Sequence, residues 1–189
     1  MPTPRRRDAR RNRREILRVA DAALTRGTDP TPLPEIARLA GVGRATVYRH
    51  FPDRGGLALA VMGQQFAGLD RLVEDRAGDP AAFREVLQAV LTAQATMRPL
   101  VTLLRELSPT DRRRNADRLV AALMPSLRAA QAAGAVPGDL EPRDLEVVFA
   151  MLEAAVARTE DLPDAEREAV VGRAIRALVA GVCLTREES

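Results

Sequence analysis

Residues 33–51 read Leu33-Pro34-Glu35-Ile36-Ala37-Arg38-Leu39-Ala40-Gly41-Val42-Gly43-Arg44-Ala45-Thr46-Val47-Tyr48-Arg49-His50-Phe51. Ile36, Ala37 and Ala40 repeat with the period of a helix, and Gly41-Val42-Gly43 breaks it. Val47 and Phe51 resume the apolar side at i, i+4. Around them stand Arg44, Thr46, Tyr48, Arg49 and His50, all able to donate hydrogen bonds. Two short helices joined by a glycine turn make a helix-turn-helix, whose second helix enters the major groove with its first turn against the base edges.

Charge is distributed to match. The 189 residues carry a net charge of only +3. Residues 1–56 hold thirteen Arg against six acidic residues, a net of +7, and residues 57–189 hold sixteen Arg against twenty, a net of −4. A basic first third on an acidic remainder points to an anionic partner, nucleic acid above all. There is no lysine, a compositional trait to which we attach no functional weight.

Working outward, the chain reads as helix throughout, with no alternating strand pattern. Residues 1–8 are expected to be a disordered basic arm. A first helix from about Arg10 to Arg26 buries Ile16, Leu17, Ala20, Ala23 and Leu24, and Gly27 ends it. Thr28 to Pro32 reads as a loop, and Pro34 suits the first turn of the second helix. Pro52-Asp53 separates the helix over 44–51 from a longer one over 54–76. Further helices are expected over 81–97, around Leu100 to Leu107, across Leu119 to Ala130, over 145–157 and over 164–184. Pro99, Ser108-Pro109 and Pro137-Gly138 punctuate them. The fold class is therefore all-α with about nine helices, divided into residues 1–56 and 57–189.

In Leu145–Ala157 only Glu146 and Glu153 are polar, and they share one narrow face, so this helix should be buried nearly all round. The last helix adds Val170, Val171, Ala174, Ile175, Leu178, Val179 and Val182, with Gly172 and Gly181 allowing close approach. Two such helices suit a homodimer built as a four-helix bundle. The competing reading makes them central helices of a monomer.

Other classes find less support. The single His and single Cys are far apart in sequence, so neither a thiol–imidazole pair nor a histidine metal cluster is suggested, and no cofactor is expected. Gly41-x-Gly43 would need a preceding strand to cradle phosphate, and Asp70, Glu74 and Asp75 read as a solvated helix face. An enzyme is not expected; the remaining rival is a helical protein-interaction module without DNA binding. Cys183 cannot form an intramolecular disulfide; it reads as a packed small hydrophobe, with a redox sensor as the alternative. No apolar run reaches the roughly 18 residues of a membrane span, and no apolar stretch follows Arg5-Arg6-Arg7 as a signal would require. A cytoplasmic protein without membrane attachment is the expectation.

Residues 10–66 resemble the DNA-binding domain of the tetracycline-repressor (TetR) family. The resemblance rests on Ile36-Ala37, Ala40-Gly41-Val42, Thr46-Val47-Tyr48-Arg49-His50-Phe51 and Pro52-Asp53-Arg54-Gly55-Gly56-Leu57. It implies a repressor that binds a palindromic double-stranded operator as a dimer and is released by a small-molecule effector. It further implies a C-terminal ligand-binding domain that dimerises through the last two helices. Arg44, Ala45, Thr46, Tyr48, Arg49, His50 and Arg54 form the expected DNA-contacting set, with Arg44 and Arg49 as base readers and Thr46, Tyr48, His50 and Arg54 on phosphates. The chain departs from the family pattern at Gly43, where Ser usually caps the recognition helix, and at Gly55-Gly56, where helix-forming acidic residues are usual. From pattern alone, Thr92, Gln94, Met97, Arg98, Arg105, Met124 and Phe149 are expected to line the effector pocket.

Overall fold

The computed structural model describes residues 4–26 and 31–183. Among them lie nine helices and no strand. They are α1 (Pro4–Arg26), α2 (Leu33–Leu39), α3 (Arg44–His50), α4 (Arg54–Asp75), α5 (Ala82–Thr96), α6 (Arg98–Arg105), α7 (Pro109–Ala132), α8 (Pro142–Ala157) and α9 (Asp164–Val182). Most spans end at the glycine and proline punctuation, because a residue that supplies left-handed backbone or lacks an N–H disfavours helix continuation; Pro125, inside α7, is an exception. Gly27, Thr28 to Pro30 and Leu184, where the sequence places a helix stop, most of a loop and the last helical residue, lie outside the described residues.

The beginning of α1 differs from the expectation. Residues 4–8 are helical rather than part of a disordered arm. Pro4 stands at the first helical position, where its fixed φ and missing N–H are harmless, and no breaker follows before Arg26. Arginine is a good helix former, so the segment extends the helix behind it.

The chain forms two compact units. The first runs to Gln65 and takes back Thr96–Arg112. Its core joins Ile16, Leu17, Ala20 and Leu24 of α1 to Ile36 and Ala37 of α2, Val47 and Phe51 around α3, and Leu57, Ala58 and Val61 of α4. Leu100, Leu103 and Leu104 of α6 complete it. The helix-turn-helix is therefore packed by residues some fifty positions downstream, well beyond residue 56.

The second unit comprises Phe66–Ala95 and continues from Arg113. Phe83, Leu87 and Leu91 of α5, Leu123 and Leu127 of α7, Leu145 and Leu152 of α8, and Val171, Ile175 and Val179 of α9 fill its core. At the end of α7, Gly134 at φ 68° forms a closing turn in which Ala135 N–H donates to the Ala130 carbonyl at 2.9 Å. The Gln131 side chain then donates to the carbonyls of Pro137 and Leu140, at 3.1 and 3.0 Å, and holds the following loop. Helix α8 opens with Pro142, and the Glu141 N–H is taken up by Asp144 at 2.8 Å.

Helix α8 is not buried nearly all round in the single chain. Leu145, Val148, Phe149 and Leu152 face the core, while Val147 and Met151 are 53% and 54% exposed. With exposed Ala150 and Ala154 they form a continuous apolar stripe at i, i+3, i+4, i+7. One monomer supplies too few neighbouring helices to cover both faces.

Candidate nucleic-acid interface

The turn between α2 and α3 is dictated locally. Helix α2 ends with Ala40 as its cap, and Gly41 follows at φ 63°, a conformation that costs an L side chain roughly 1–2 kcal/mol. Gly41 N–H donates to the Arg38 carbonyl at 3.2 Å and Val42 N–H to the Ala37 carbonyl at 3.1 Å, so the last carbonyls of α2 are satisfied. Glu35 and Arg38 form an exposed ion pair at 2.6 Å on the outer side of α2. The hydrogen bond from Arg38 holds the Glu35 carboxyl below its usual range.

Gly43 then caps α3 with extended backbone and no side-chain bond of its own. Its carbonyl accepts from Thr46 N–H at 2.8 Å. Only Val47 of α3 is buried, at 0% exposure, and Phe51 beyond the helix is the second anchor. The remaining positions look outward: Arg44, Ala45, Tyr48 and Arg49 are exposed, and Thr46 and His50 are half-buried. Arg49 Nη2 donates to Thr46 Oγ1 at 3.0 Å, which lays the Arg49 fork back along the helix. There is no acidic residue in the first turn, and Arg49 and His50 occupy the last. A seven-residue helix held by one buried side chain is thus given over almost entirely to polar, cationic and hydrogen-bonding groups.

Helix α4 adds Arg54 at its first position. Asp53 supplies the cap, its Oδ1 accepting from Gly56 N–H at 2.6 Å. The cap restores at Asp53 part of the order that Gly55 and Gly56 take from this turn. Tyr48 and Arg54, with Pro34, Pro52, Leu103 and Leu107, line a surface cleft of about 670 Å³ within the first unit. One cation absent from the expected set also belongs here. The Arg13 guanidinium of α1 lies over the Phe51 ring, 5.3 Å from its centroid. The arginine run at the start of the chain was the available signal, but nothing in its spacing indicates that Arg13 meets the end of α3.

The residues expected around an effector are divided between the units. Met97, Arg98 and Arg105 belong to the first unit, where Met97 packs against the helix-turn-helix core. Thr92, Gln94, Met124 and Phe149 belong to the second. There Gln94 Nε2 donates to the Phe149 carbonyl at 3.2 Å, while Gln94 Oε1 is buried and meets no donor among the described residues. Phe149 is buried, Met124 packs at the core edge, and Thr92 is exposed. Among the described residues no three His, Cys, Asp or Glu side chains converge as metal ligands, and no helix is long and apolar enough to cross a membrane.

Residues 16–61 match the family model described as bacterial regulatory proteins, tetR family. The match covers α2, α3 and the parts of α1 and α4 that pack on them, so this region is similar to the TetR-family DNA-binding domain. The fold of the chain is similar along nearly its whole length to solved TetR-family proteins. A TetR transcription regulatory protein from Mycobacterium vanbaalenii is 27% identical, with a TM-score of 0.61, over 96% of this chain and 100% of that one. A TetR transcriptional regulator from Streptomyces coelicolor is 24% identical, with a TM-score of 0.64, over 92% and 99%. FadR from Thermus thermophilus, a TetR-family repressor solved with lauroyl-CoA, is 19% identical, with a TM-score of 0.59, over 94% and 98%. No curated protein matches the chain by sequence. The fold is thus that of TetR-family transcriptional regulators, with the helix-turn-helix in the matched region.

Proposed function

We propose that this protein is a non-enzymatic repressor of the TetR family that binds a palindromic operator as a homodimer and leaves it when a small molecule binds. The observation that carries the reading is α3 itself, anchored by Val47 alone with Arg44 and Arg49 exposed. Arg44 at the first position and Arg49 five residues later have the length and forked geometry to engage guanine O6 and N7. Thr46, Tyr48, His50 and Arg54 contact phosphates, fixing the register of the helix, and Ala45 lies close to the base edges.

The exposed stripe Val147, Ala150, Met151 and Ala154 supports pairing through α8, with α9 beside it. Two-fold pairing would match two operator half-sites about one helical turn apart. The repressor sense and the small-molecule effector rest on the likeness to FadR. In the second unit, Gln94 Oε1, buried and without a donor among the described residues, offers an acceptor on the apolar face of α5. The protein acts in the cytoplasm, where its DNA is.

An operator shift assay with Arg44→Ala and Arg49→Ala tests the base-reading role. Each truncation should cost about 1–3 kcal/mol and relax the preference at one base position. Unchanged affinity and preference in both variants would remove that role. Light scattering tests the pairing: the native chain should run at twice 20.5 kDa and Met151→Asp at the monomer mass. A native monomer at micromolar concentration would end the dimer reading.

A further inference from the structure

Helix α1 has two parts with different chemistry. From Ile16 onward it carries the core residues of the first unit. Between Arg7 and Arg14 no side chain is buried, and only Asn12 is even half-covered. These eight residues span roughly 12 Å of helix and are not built for packing. They hold Arg7, Arg10, Arg11, Arg13 and Arg14 against Asp8 alone, a net of +4. Among the described side chains, Asp8 pairs with Arg11, at 3.8 Å in an exposed pair.

The arrangement works against itself in the free protein. Arg7 lies one turn from Arg10 and Arg11, and Arg10 one turn from Arg13 and Arg14, all like-charge pairs at i, i+3 or i+4. Cations near a helix N-terminus also oppose its dipole, and the first turn of α1 has no acidic residue to offset them. A short exposed helix with these penalties gains from a closely spaced anionic surface.

We propose that Arg7, Arg10, Arg11 and Arg14 form a second DNA contact, a basic helical extension that runs along the phosphate backbone flanking the bases read by α3. The assignment to DNA rests on the reading of α3 as the recognition helix and on charge complementarity. Arg13 supplies the continuity: its guanidinium over Phe51 joins the base of the extension to the C-terminal end of α3. The flanking contact is independent of sequence and adds affinity and salt dependence without adding base preference.

The test uses the full-length protein and a duplex of about 40 base pairs selected by it from a random pool, together with the same duplex trimmed to its protected core. The quadruple variant R7A/R10A/R11A/R14A should keep the native circular dichroism, since all four side chains are exposed and alanine favours helix. On the long duplex it should bind roughly 10- to 100-fold more weakly near 0.1 M salt. The slope of log affinity against log salt should become shallower by about 3 per protomer. On the trimmed duplex the variant and the native protein should differ little, and the selected sequence should be the same for both. Native binding with an unchanged slope in the variant would overturn the extension while leaving the recognition helix in place. If the native protein selects no duplex, both readings fall. Equal losses on long and trimmed duplexes would also overturn the flanking contact, by placing these arginines on the core site.

Discussion

Alanine at Gly56 is expected to stabilise this protein, and alanine at its neighbour Gly55 is expected to leave stability nearly unchanged. Both glycines lie in the first turn of α4. Replacing a helical glycine by alanine gains about 0.5–1 kcal/mol, chiefly by restricting the unfolded chain. At Gly56 a Cβ would stand 3.4 Å from Asp53 Oδ1 and 3.8 Å from Pro52 Cδ, ordinary contact distances, so that gain should be kept. At Gly55 the Cβ would come within 2.9 Å of Leu107 Cδ2, well inside the 3.5–4.0 Å optimum for two carbons. Leu107 is half-buried, so it can turn aside, at about 0.5–1.5 kcal/mol for a displaced rotamer. That cost offsets the gain.

Urea denaturation followed by circular dichroism measures both variants, with calorimetry to resolve the two compact units if they unfold separately. Gly56→Ala should raise the melting temperature by about 1–4 °C. Gly55→Ala should move it little, and adding Leu107→Ala should reveal a favourable coupling in a double-mutant cycle. A Gly55→Ala variant as stable as Gly56→Ala, with no coupling to Leu107, would refute the close approach of α4 to the segment after α6.

Three further outcomes are expected. Gly43→Ser should stabilise α3 by a few tenths of a kcal/mol in a denaturant titration and tighten operator binding, because the site is open and serine can cap the helix or reach a phosphate. Gln131→Ala should cost about 1–2 kcal/mol and speed amide exchange across residues 134–141, because one side chain holds that loop through several carbonyls. Burial raises the Cys183 thiol pKa, and nearby Arg84 only partly opposes this. Its alkylation by iodoacetamide should therefore be slow in the native protein at neutral pH, faster above the usual thiol range, and fast at any such pH once unfolded. Rapid native modification near pH 7 would instead favour the redox-sensor reading.

The helix-turn-helix was legible because each of its signals is local. Gly41 is placed by the sign of its own φ, Pro52-Asp53 by the capping of the helix that follows, and Val47 and Phe51 by the period of one turn. The outward side of α3 follows from the same period, which is why Arg44, Tyr48 and Arg49 stand out from their spacing alone. The effector pocket was not legible in this way. A polar residue such as Gln94 on an apolar stripe looks the same whether it bonds a neighbouring carbonyl or faces a ligand. Nor does any local pattern tell that Met97, Arg98 and Arg105 join one compact unit while Thr92, Gln94, Met124 and Phe149 join the other.

By itself, the sequence determined the helical class, the breakpoints between helices and the polar face of the recognition helix. These depend on backbone preferences and side-chain periodicity within a few residues. Tertiary structure alone decided that Leu100, Leu103 and Leu104 close the core beneath the helix-turn-helix. It also decided that Val147 and Met151 remain uncovered, and that Arg13 stacks on Phe51. Each of these depends on which distant apolar surfaces meet, and many partners bury a leucine equally well. Hydrophobic burial is non-directional, so periodicity identifies the face to be covered while packing selects what covers it.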